Sequence, residues 1–176
     1  MFDKNRSEIP VSPEMRAALT DAATAIRLKP KETLFEEYDE ADAVFFILEG
    51  HIELSILGDE GRKIGLDVLP GGAFFGEIAL LDPGPRTASA MALEDSKLLM
   101  LSYAALHRVL EYNPHLTGEM LRLIGKRMRY ITDQLNEYML LPLPKRLARR
   151  LLRLATFAVD GNPSLRLSHS EIADLV

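Results

Sequence analysis

The chain has 176 residues, a net charge of −5 and a hydrophobic share of 47%, so it can form one or two domains with a buried core. It has no cysteine, which excludes disulfides, thiolate metal sites and cysteine-ligated iron–sulfur clusters. No apolar run approaches the roughly 20 residues that span a bilayer, and no signal-peptide core opens the chain, so we expect a cytoplasmic protein.

The charge is unevenly distributed along the chain. Residues 118–157 hold nine basic and three acidic side chains, a local net charge of +6 against −11 for all other residues. The basic segment and the acidic remainder of the chain therefore suggest two regions with different functions. On charge alone, a solvated helix face is the simpler explanation of the basic part.

The first half of the chain begins with a predicted helix and continues with predicted strands. Residues 13–26 are rich in alanine and Ser12 can cap their first turn, so they are predicted to form a short amphipathic helix. From about residue 30 to 101, short β-branched and aromatic runs are separated by glycine turns, which is typical of an antiparallel sandwich or barrel of about eight strands. Residues 57–61 are predicted to form a hairpin tip.

Helical periodicity returns after Ser102, and the first helix is predicted to stop before Pro114. In the next helix, apolar residues recur at alternating spacings of three and four, which is a heptad seam. A seam this narrow usually meets a second helix, so we expect a parallel coiled coil and a homodimer through residues 116–141. A helix packed on its own domain is the alternative. The seam consists of Leu121, Ile124, Met128, Ile131, Leu135 and Tyr138.

Two prolines in LLPLP at 140–144 predict the end of that helix and a domain boundary. Pro144 can open the next helix, which is basic and carries one apolar stripe. Residues 165–167 are predicted to form a brief strand. A capping box at 168–171 then predicts the start of another helix.

The sequence FFGEIALLDPGPRTASAMAL at 74–93 contains the best candidate for a binding site. If Gly76 ends a strand and one helical turn follows, free backbone N–H groups there attract an anion, and Arg86 can complete an anion clamp. Glu77 would repel a phosphate, so we expect it to accept hydrogen bonds from a sugar hydroxyl, while Thr87 adds a hydroxyl beside the arginine. The alternative is that Glu77 complements a helix dipole and pairs with Arg86.

The residues LPGGAFFGE at 69–77, then IALL, then PRTA at 85–88, resemble the phosphate-binding cassette of cyclic-nucleotide-binding domains. With the order of elements, the chain resembles the CRP/FNR family of bacterial transcription regulators. The resemblance implies an α+β fold: an antiparallel β jelly roll of the cyclic-nucleotide-binding type, a long dimerisation helix and the start of a winged helix-turn-helix domain. The corresponding domains are residues 1–115, 116–141 and 142–176.

The resemblance also implies which residues bind a ligand. Gly76 and Glu77 would contact the ribose side of the nucleotide, and Arg86 and Thr87 would hold the cyclic phosphate. The effector is expected to be cAMP, although Thr87 leaves cGMP open, and no prosthetic group or metal is expected. The expected ligand-binding residues are Phe75, Gly76, Glu77, Ile78, Ala79, Arg86, Thr87, Ala88 and, reaching the base from the dimer helix, Thr132.

By the same resemblance, the protein is a ligand-responsive transcription regulator and not an enzyme. Nucleotide binding would bias the dimer helix and, through a hinge at Pro142 and Pro144, the DNA-binding domains. Promoter DNA is an expected partner, RNA polymerase a further candidate, and no membrane partner is expected. The expected DNA-contacting residues are Lys145, Arg146, Ser168 and Ser170.

Two other functions stay open at this point: a regulator of the same family that senses a different small anion, or a nucleotide-binding module without DNA activity. A metal-dependent enzyme of the cupin kind would need two histidines one residue apart, and His51 stands alone in its predicted strand. The four histidines are scattered, which also disfavours a haem site.

Two positions depart from the family pattern. Tyr38 stands where a turn glycine is expected, which puts the geometry of that turn in question. The recognition helix would follow Val176, so we expect the sequence to be incomplete and, as written, to bind DNA poorly.

Overall fold

The computed structural model of the protein describes residues 11–58 and 61–156 and, in isolation, Ile172, with side chains described up to residue 152 and at Ile172. The strand predicted at 165–167, together with Ser168 and Ser170, lies outside the described residues. In the described part, five helices and eight strands follow one another along the chain.

The first helix is shorter than predicted. Helix α1 spans Pro13–Ala22, and the Ser12 hydroxyl accepts a hydrogen bond from the Met15 N–H at 3.0 Å, as the capping prediction required. The predicted extension to residue 26 is wrong, because strand β1 (Thr24–Leu28) begins there and pairs antiparallel with the last strand of the fold. Strand pairing outweighs the weak helix propensity of the Thr24–Ile26 segment.

Together with β1, the seven remaining strands form two antiparallel four-stranded sheets, in the orders β1-β8-β3-β6 and β2-β7-β4-β5. This confirms the predicted antiparallel double sheet. Gly58 N–H donates to the Arg62 carbonyl at 2.9 Å, closing the β4–β5 hairpin where the tip was predicted, while residues 59 and 60 are not described. The strands are β2 (Thr33–Phe35), β3 (Ala43–Glu49), β4 (His51–Leu57), β5 (Lys63–Pro70), β6 (Phe74–Phe75), β7 (Ser89–Ala92) and β8 (Ser96–Ser102).

The core has two compartments, and strand β3 contributes to both. Phe45 and Ile47 point between the two sheets, whereas Val44 and Phe46 pack under the helices on the outer face of the first sheet. Successive side chains of a strand point to opposite faces, so a strand covered on both sides reads as a continuous apolar run. That explains the run AVFFIL in the sequence.

Three helices follow the last strand: α3 (Tyr103–Tyr112), α4 (Pro114–Leu140) and α5 (Leu143–Thr156). The predicted stop before Pro114 and the predicted break at 140–144 are confirmed, and Pro142 lies between the last two helices. Among the described residues, no helix is long and apolar enough to span a lipid bilayer.

Helix α4 has two apolar faces, of which the sequence pattern revealed one. Leu116, Met120 and Tyr130 are buried against the jelly roll. Five of the six predicted seam residues are exposed in the single chain, but Ile124 packs partly on the jelly roll. The exposed fractions are 62% for Leu121, 66% for Met128, 54% for Ile131, 57% for Leu135 and 41% for Tyr138.

Candidate functional site

The predicted strand–glycine–turn arrangement is present at the end of β6. Gly76 follows with φ +83°, and helix α2 is the single turn Ile78–Leu81. A Cβ on Gly76 would lie 2.9 Å from Nη1 of Arg86 and 3.3 Å from the Ala43 carbonyl oxygen. Only glycine combines this backbone conformation with so close an approach of the arginine.

The Arg86 side chain is buried and held by backbone and aromatic groups. Nη2 donates to the Ala43 carbonyl at 2.9 Å, Nη1 reaches the Gly76 carbonyl at 3.4 Å, and the guanidinium lies 4.3 Å from the centre of the Phe35 ring. Only 5% of Arg86 is exposed, and its Nε has no hydrogen-bond partner. Among the described residues, no carboxylate lies within ion-pair distance of Arg86, so none of them is a counter-ion for this buried cation.

A tight turn fixes the backbone of Arg86. The Tyr38 N–H donates to the Arg86 carbonyl at 2.9 Å, and the Arg86 N–H donates to the Asp39 carbonyl at 2.9 Å. Tyr38 has φ +73°, so it adopts the left-handed conformation for which the family turn uses glycine. The departure noted in the sequence therefore leaves the turn in place and adds backbone strain at one exposed residue.

Glu77 occupies the N-cap position of α2 without forming a side-chain cap hydrogen bond. It is only 5% exposed, and its Oε2 has no hydrogen-bond partner and lies 3.6 Å from Nη1 of Arg127. Arg127 also donates to the Phe74 carbonyl at 3.1 Å. In the described part of the chain no ion pair joins Glu77 to Arg86, so simple pairing of these two side chains does not describe the site.

These groups line one cavity, whose empty space is about 380 Å³ when the part open to solvent is included. Eight of the nine predicted ligand-binding residues line it: Phe75, Gly76, Glu77, Ile78, Ala79, Arg86, Thr87 and Ala88. We call it the cassette cavity.

Thr132 is not brought to the cassette cavity within one chain. It is exposed, and its hydroxyl donates to the Met128 carbonyl of its own helix at 2.9 Å. Its position on α4 is turned away from the face that contains Arg127 and Tyr130 and packs on the jelly roll. Contact between Thr132 and a bound base stays a prediction.

Sequence reasoning missed three residues that line the cassette cavity, which are Phe35, Leu54 and Arg127. Arg127 could have been found, because it continues the four- and three-residue spacing of Leu116 and Met120 along the buried face of α4. Phe35 carries no such pattern, since it reaches the cavity through the sheet packing.

A second cavity, larger when its space open to solvent is included (about 540 Å³), lies between the jelly roll and α4 and shares Glu77 and Arg127 with the cassette cavity. Asp67 of β5 lines it, and Oδ1 of Asp67 accepts a hydrogen bond from the Tyr130 hydroxyl at 2.9 Å. Burial raises the pKa of the Asp67 carboxyl above its ordinary value, and the charge of Arg150 offsets part of that increase. The apolar lining comes from Leu69, Ala73, Phe74, Met120, Leu123 and Ile124.

The predicted DNA-contacting residues within the described range lie at the start of α5. Lys145 is exposed. Arg146 is half-buried, with its guanidinium 4.9 Å from the centre of the Tyr138 ring. Arg146 would have to leave that ring to contact a phosphate, whereas Lys145 would not.

The described histidines each contact a glutamate. His51 lies 2.6 Å from Glu94, while His107 and His115 pair with glutamates at the surface. Within the described ranges, no group of three histidine, aspartate or glutamate side chains is arranged to hold a metal ion.

A family model of the cyclic nucleotide-binding domain matches residues 25–113. The CRP-like cAMP-activated global transcriptional regulator of Mycobacterium tuberculosis is 29% identical over 171 residues, covering 94% of this chain and 76% of that protein. Among solved structures, the N-terminal domain of a transcriptional regulator from Streptomyces coelicolor is 32% identical with a TM-score of 0.59, covering 74% of this chain and 92% of that one. The Thermus thermophilus catabolite activator protein is 26% identical with a TM-score of 0.65, covering 88% and 72%.

Proposed function

The chain belongs to the cyclic nucleotide-binding domain family and to its CRP-like regulators, and from that premise we propose that it is a transcription regulator switched by a cyclic nucleotide bound in the cassette cavity. The curated relatives that match most of its length are named as transcriptional regulators, so the cavity is interpreted as a sensing site and not as a catalytic one.

The observation that carries the proposal is the buried Arg86, for which the described part of the chain offers no counter-ion. Buried charges in proteins are normally paired, because removing a charge from water without a partner is costly. Arg86 lines a cavity and is positioned by two backbone carbonyls and an aromatic ring. A phosphodiester in that cavity would supply the missing negative charge and accept hydrogen bonds from the guanidinium.

The carboxylate of Glu77 favours a ligand that carries a sugar next to that phosphate. Its buried Oε2 lacks a hydrogen-bond donor, and a carboxylate accepts hydrogen bonds from hydroxyl groups. Glu77 and Arg86 line the same cavity without pairing with each other. A sugar-phosphate unit would satisfy both groups at once.

We favour cAMP as the effector, because the CRP-like regulator of M. tuberculosis is named as cAMP-activated. Thr87, which lines the cavity, keeps cGMP as an alternative, since a threonine hydroxyl can also reach a guanine amino group. The rival candidates are a different small anionic effector and a nucleotide-binding module without DNA activity.

Calorimetric titration with cAMP and with cGMP tests the proposal. We expect saturable heat from at least one nucleotide with the wild-type chain, and an affinity at least about tenfold lower for Arg86→Ala, because hydrogen bonds to charged groups contribute about 1.5–3 kcal/mol. Arg108→Ala is the matched control, because Arg108 is exposed on α3, away from the cassette cavity, and donates to the Ala104 carbonyl of its own helix. Absence of heat from both nucleotides would favour a different effector.

The remaining parts of the proposal concern partners. We propose that two chains associate through residues 116–141, since the exposed apolar stripe of α4 has no cover within one chain. Promoter DNA would be bound through the region that begins with α5, where Lys145 and Arg146 are the candidate phosphate contacts. RNA polymerase and a cytoplasmic location stay predictions.

A further inference from the structure

Arg150 ties helix α5 to the jelly roll. Although it belongs to the basic helix, only 6% of Arg150 is exposed. Its Nη2 donates to the Leu66 carbonyl at 2.8 Å, and its Nη1 lies 3.8 Å from Oδ1 of Asp67. Both partners are in β5, so this side chain joins the helix after the proline hinge to the sheet of the binding domain.

The neighbouring arginines of α5 have their contacts in α4. Nη1 of Arg149 lies 3.0 Å from Oε1 of Glu137, and Arg146 lies over the ring of Tyr138. These contacts hold α5 against the long helix and can persist if the two helices move together. Arg150 differs, because a movement of α5 away from the jelly roll must break its contacts.

The partners of Arg150 border the ligand site. Asp67 and Tyr130 line the larger cavity together with Glu77 and Arg127, and the Tyr130 hydroxyl donates to Asp67. Arg127 lies within ion-pair distance of Glu77, and its positive charge also acts on Asp67. The cluster therefore contains two carboxylates and two arginines whose pairing depends on what else binds Glu77.

A sugar on Glu77 would change this pairing. Hydroxyl donors that occupy the Glu77 carboxylate weaken its attraction for Arg127, because the carboxylate then shares its charge with new hydrogen bonds. The nearest other carboxylate of the cluster is Asp67, where Arg127 would compete with Arg150. Ligand binding at Glu77 therefore weakens the contact between Arg150 and Asp67.

We propose that Arg150 is a latch that holds α5 against the jelly roll in the ligand-free state, and that nucleotide in the cassette cavity weakens it. The inference rests on the proposed function, since it takes the ligand to be a cyclic nucleotide. Coupling between two sites is reciprocal in binding free energy. Removal of the latch must therefore raise nucleotide affinity by the factor by which nucleotide weakens the latch.

The first test compares nucleotide affinity between two variants of the full 176-residue chain. Arg150→Met removes the latch contacts and keeps an unbranched side chain with good helix propensity. Arg149→Met removes a charge from the adjacent position, whose described ion pair is with Glu137 of α4. We expect Arg150→Met to bind cAMP at least about fivefold more tightly than wild type, and Arg149→Met to remain within about twofold. Equal affinities for the two variants would overturn the latch.

The second test needs no variant, so it remains decisive if Arg150→Met fails to fold. Amide hydrogen exchange in residues 144–152 of the wild-type chain is measured with and without saturating cAMP, and we expect faster exchange with the nucleotide. Unchanged or slower exchange contradicts the latch.

If the wild-type chain binds neither cAMP nor cGMP, the proposed function fails and the coupling fails with it. Binding without an affinity change in Arg150→Met and without faster exchange refutes the latch alone.

Discussion

Individual residues of the site are positioned by contacts that their own segment does not contain. Arg86 is held by the Ala43 carbonyl from β3 and by the ring of Phe35 from β2. Its identity as the candidate anion-binding residue was predictable, because an arginine after a proline-rich turn in an uncharged run has few other uses. Its burial without a counter-ion was not predictable, since that depends on which side chains the sheets bring near it.

Tyr38 offers a direct test of how the turn beside Arg86 is built. The residue is 76% exposed with φ +73°, a conformation that costs a non-glycine residue about 1–2 kcal/mol. Glycine loses more backbone entropy on folding, by about 0.5–1 kcal/mol. We therefore expect Tyr38→Gly to raise the free energy of unfolding by about 0.5–1 kcal/mol, measured by urea denaturation.

The matched control is Tyr112→Gly. Tyr112 is 84% exposed, is the last residue of α3 and has no positive φ, so a glycine there relieves no strain and should lower the free energy of unfolding by about 0.5 kcal/mol. If Tyr38→Gly destabilised the protein as much as Tyr112→Gly does, positive φ at residue 38 would not be a source of strain.

At the scale of elements, helix α4 carries two apolar stripes, and the heptad spacing of the exposed one drew attention away from the buried one. The heptad spacing correctly predicted a long helix, and the helix spans Pro114–Leu140. A second stripe on α4 covers the jelly roll and consists of Leu116, Met120, Arg127 and Tyr130. Its two polar members, Arg127 and Tyr130, border the cavities. Because a straight helix has 3.6 residues per turn, the 3.5-residue seam drifts and Ile124 falls between the two faces.

The exposed stripe of α4 gives the prediction at this scale. Leu135 is 57% exposed in one chain, so Leu135→Glu should leave the monomer folded while placing a charge in the proposed dimer seam. In sedimentation equilibrium we expect a wild-type dimer at tens of micromolar and at least tenfold weaker association for the variant.

Asn136→Glu is the control for that experiment. It adds the same charge at the next residue of α4, which is exposed and lies outside the seam. Association should stay within about twofold of wild type, because a solvated charge off the seam contributes little. A wild-type monomer at these concentrations would refute the proposed dimer.

For the whole molecule, the fold places the proposed ligand cavity between the cassette and the long helix. Glu77 and Arg127 belong to different elements and line both cavities, so a bound ligand would act on the jelly roll and on α4 together. The latch at Arg150 would extend this influence to α5.

Ligand binding should therefore stabilise the jelly roll and α4 against unfolding. At a cAMP concentration about 100 times the Kd, binding contributes about 2.7 kcal/mol to the free energy of unfolding. For a chain of this size we expect the Tm to rise by about 5–10 °C in calorimetric scans. Arg86→Ala, with an affinity at least about tenfold lower, should show at most about half of that Tm shift at the same concentration.

Adenosine is the control ligand, because it keeps the base and the sugar and lacks the phosphate that Arg86 is proposed to bind. Adenosine should raise the Tm much less than cAMP does. An equal shift from adenosine would mean that the arginine is not the main recognition element.

The sequence alone determined the order and kind of most elements and eight of the residues that line the cassette cavity, because periodicity, glycine turns and a local motif act over short distances along the chain. Tertiary structure decided which distant side chains meet there. It decided that Phe35 lies over Arg86, that Arg127 approaches Glu77, and that Arg150 reaches Asp67. These contacts join residues far apart in the chain, so they follow from how the sheets and helices pack and no local pattern encodes them.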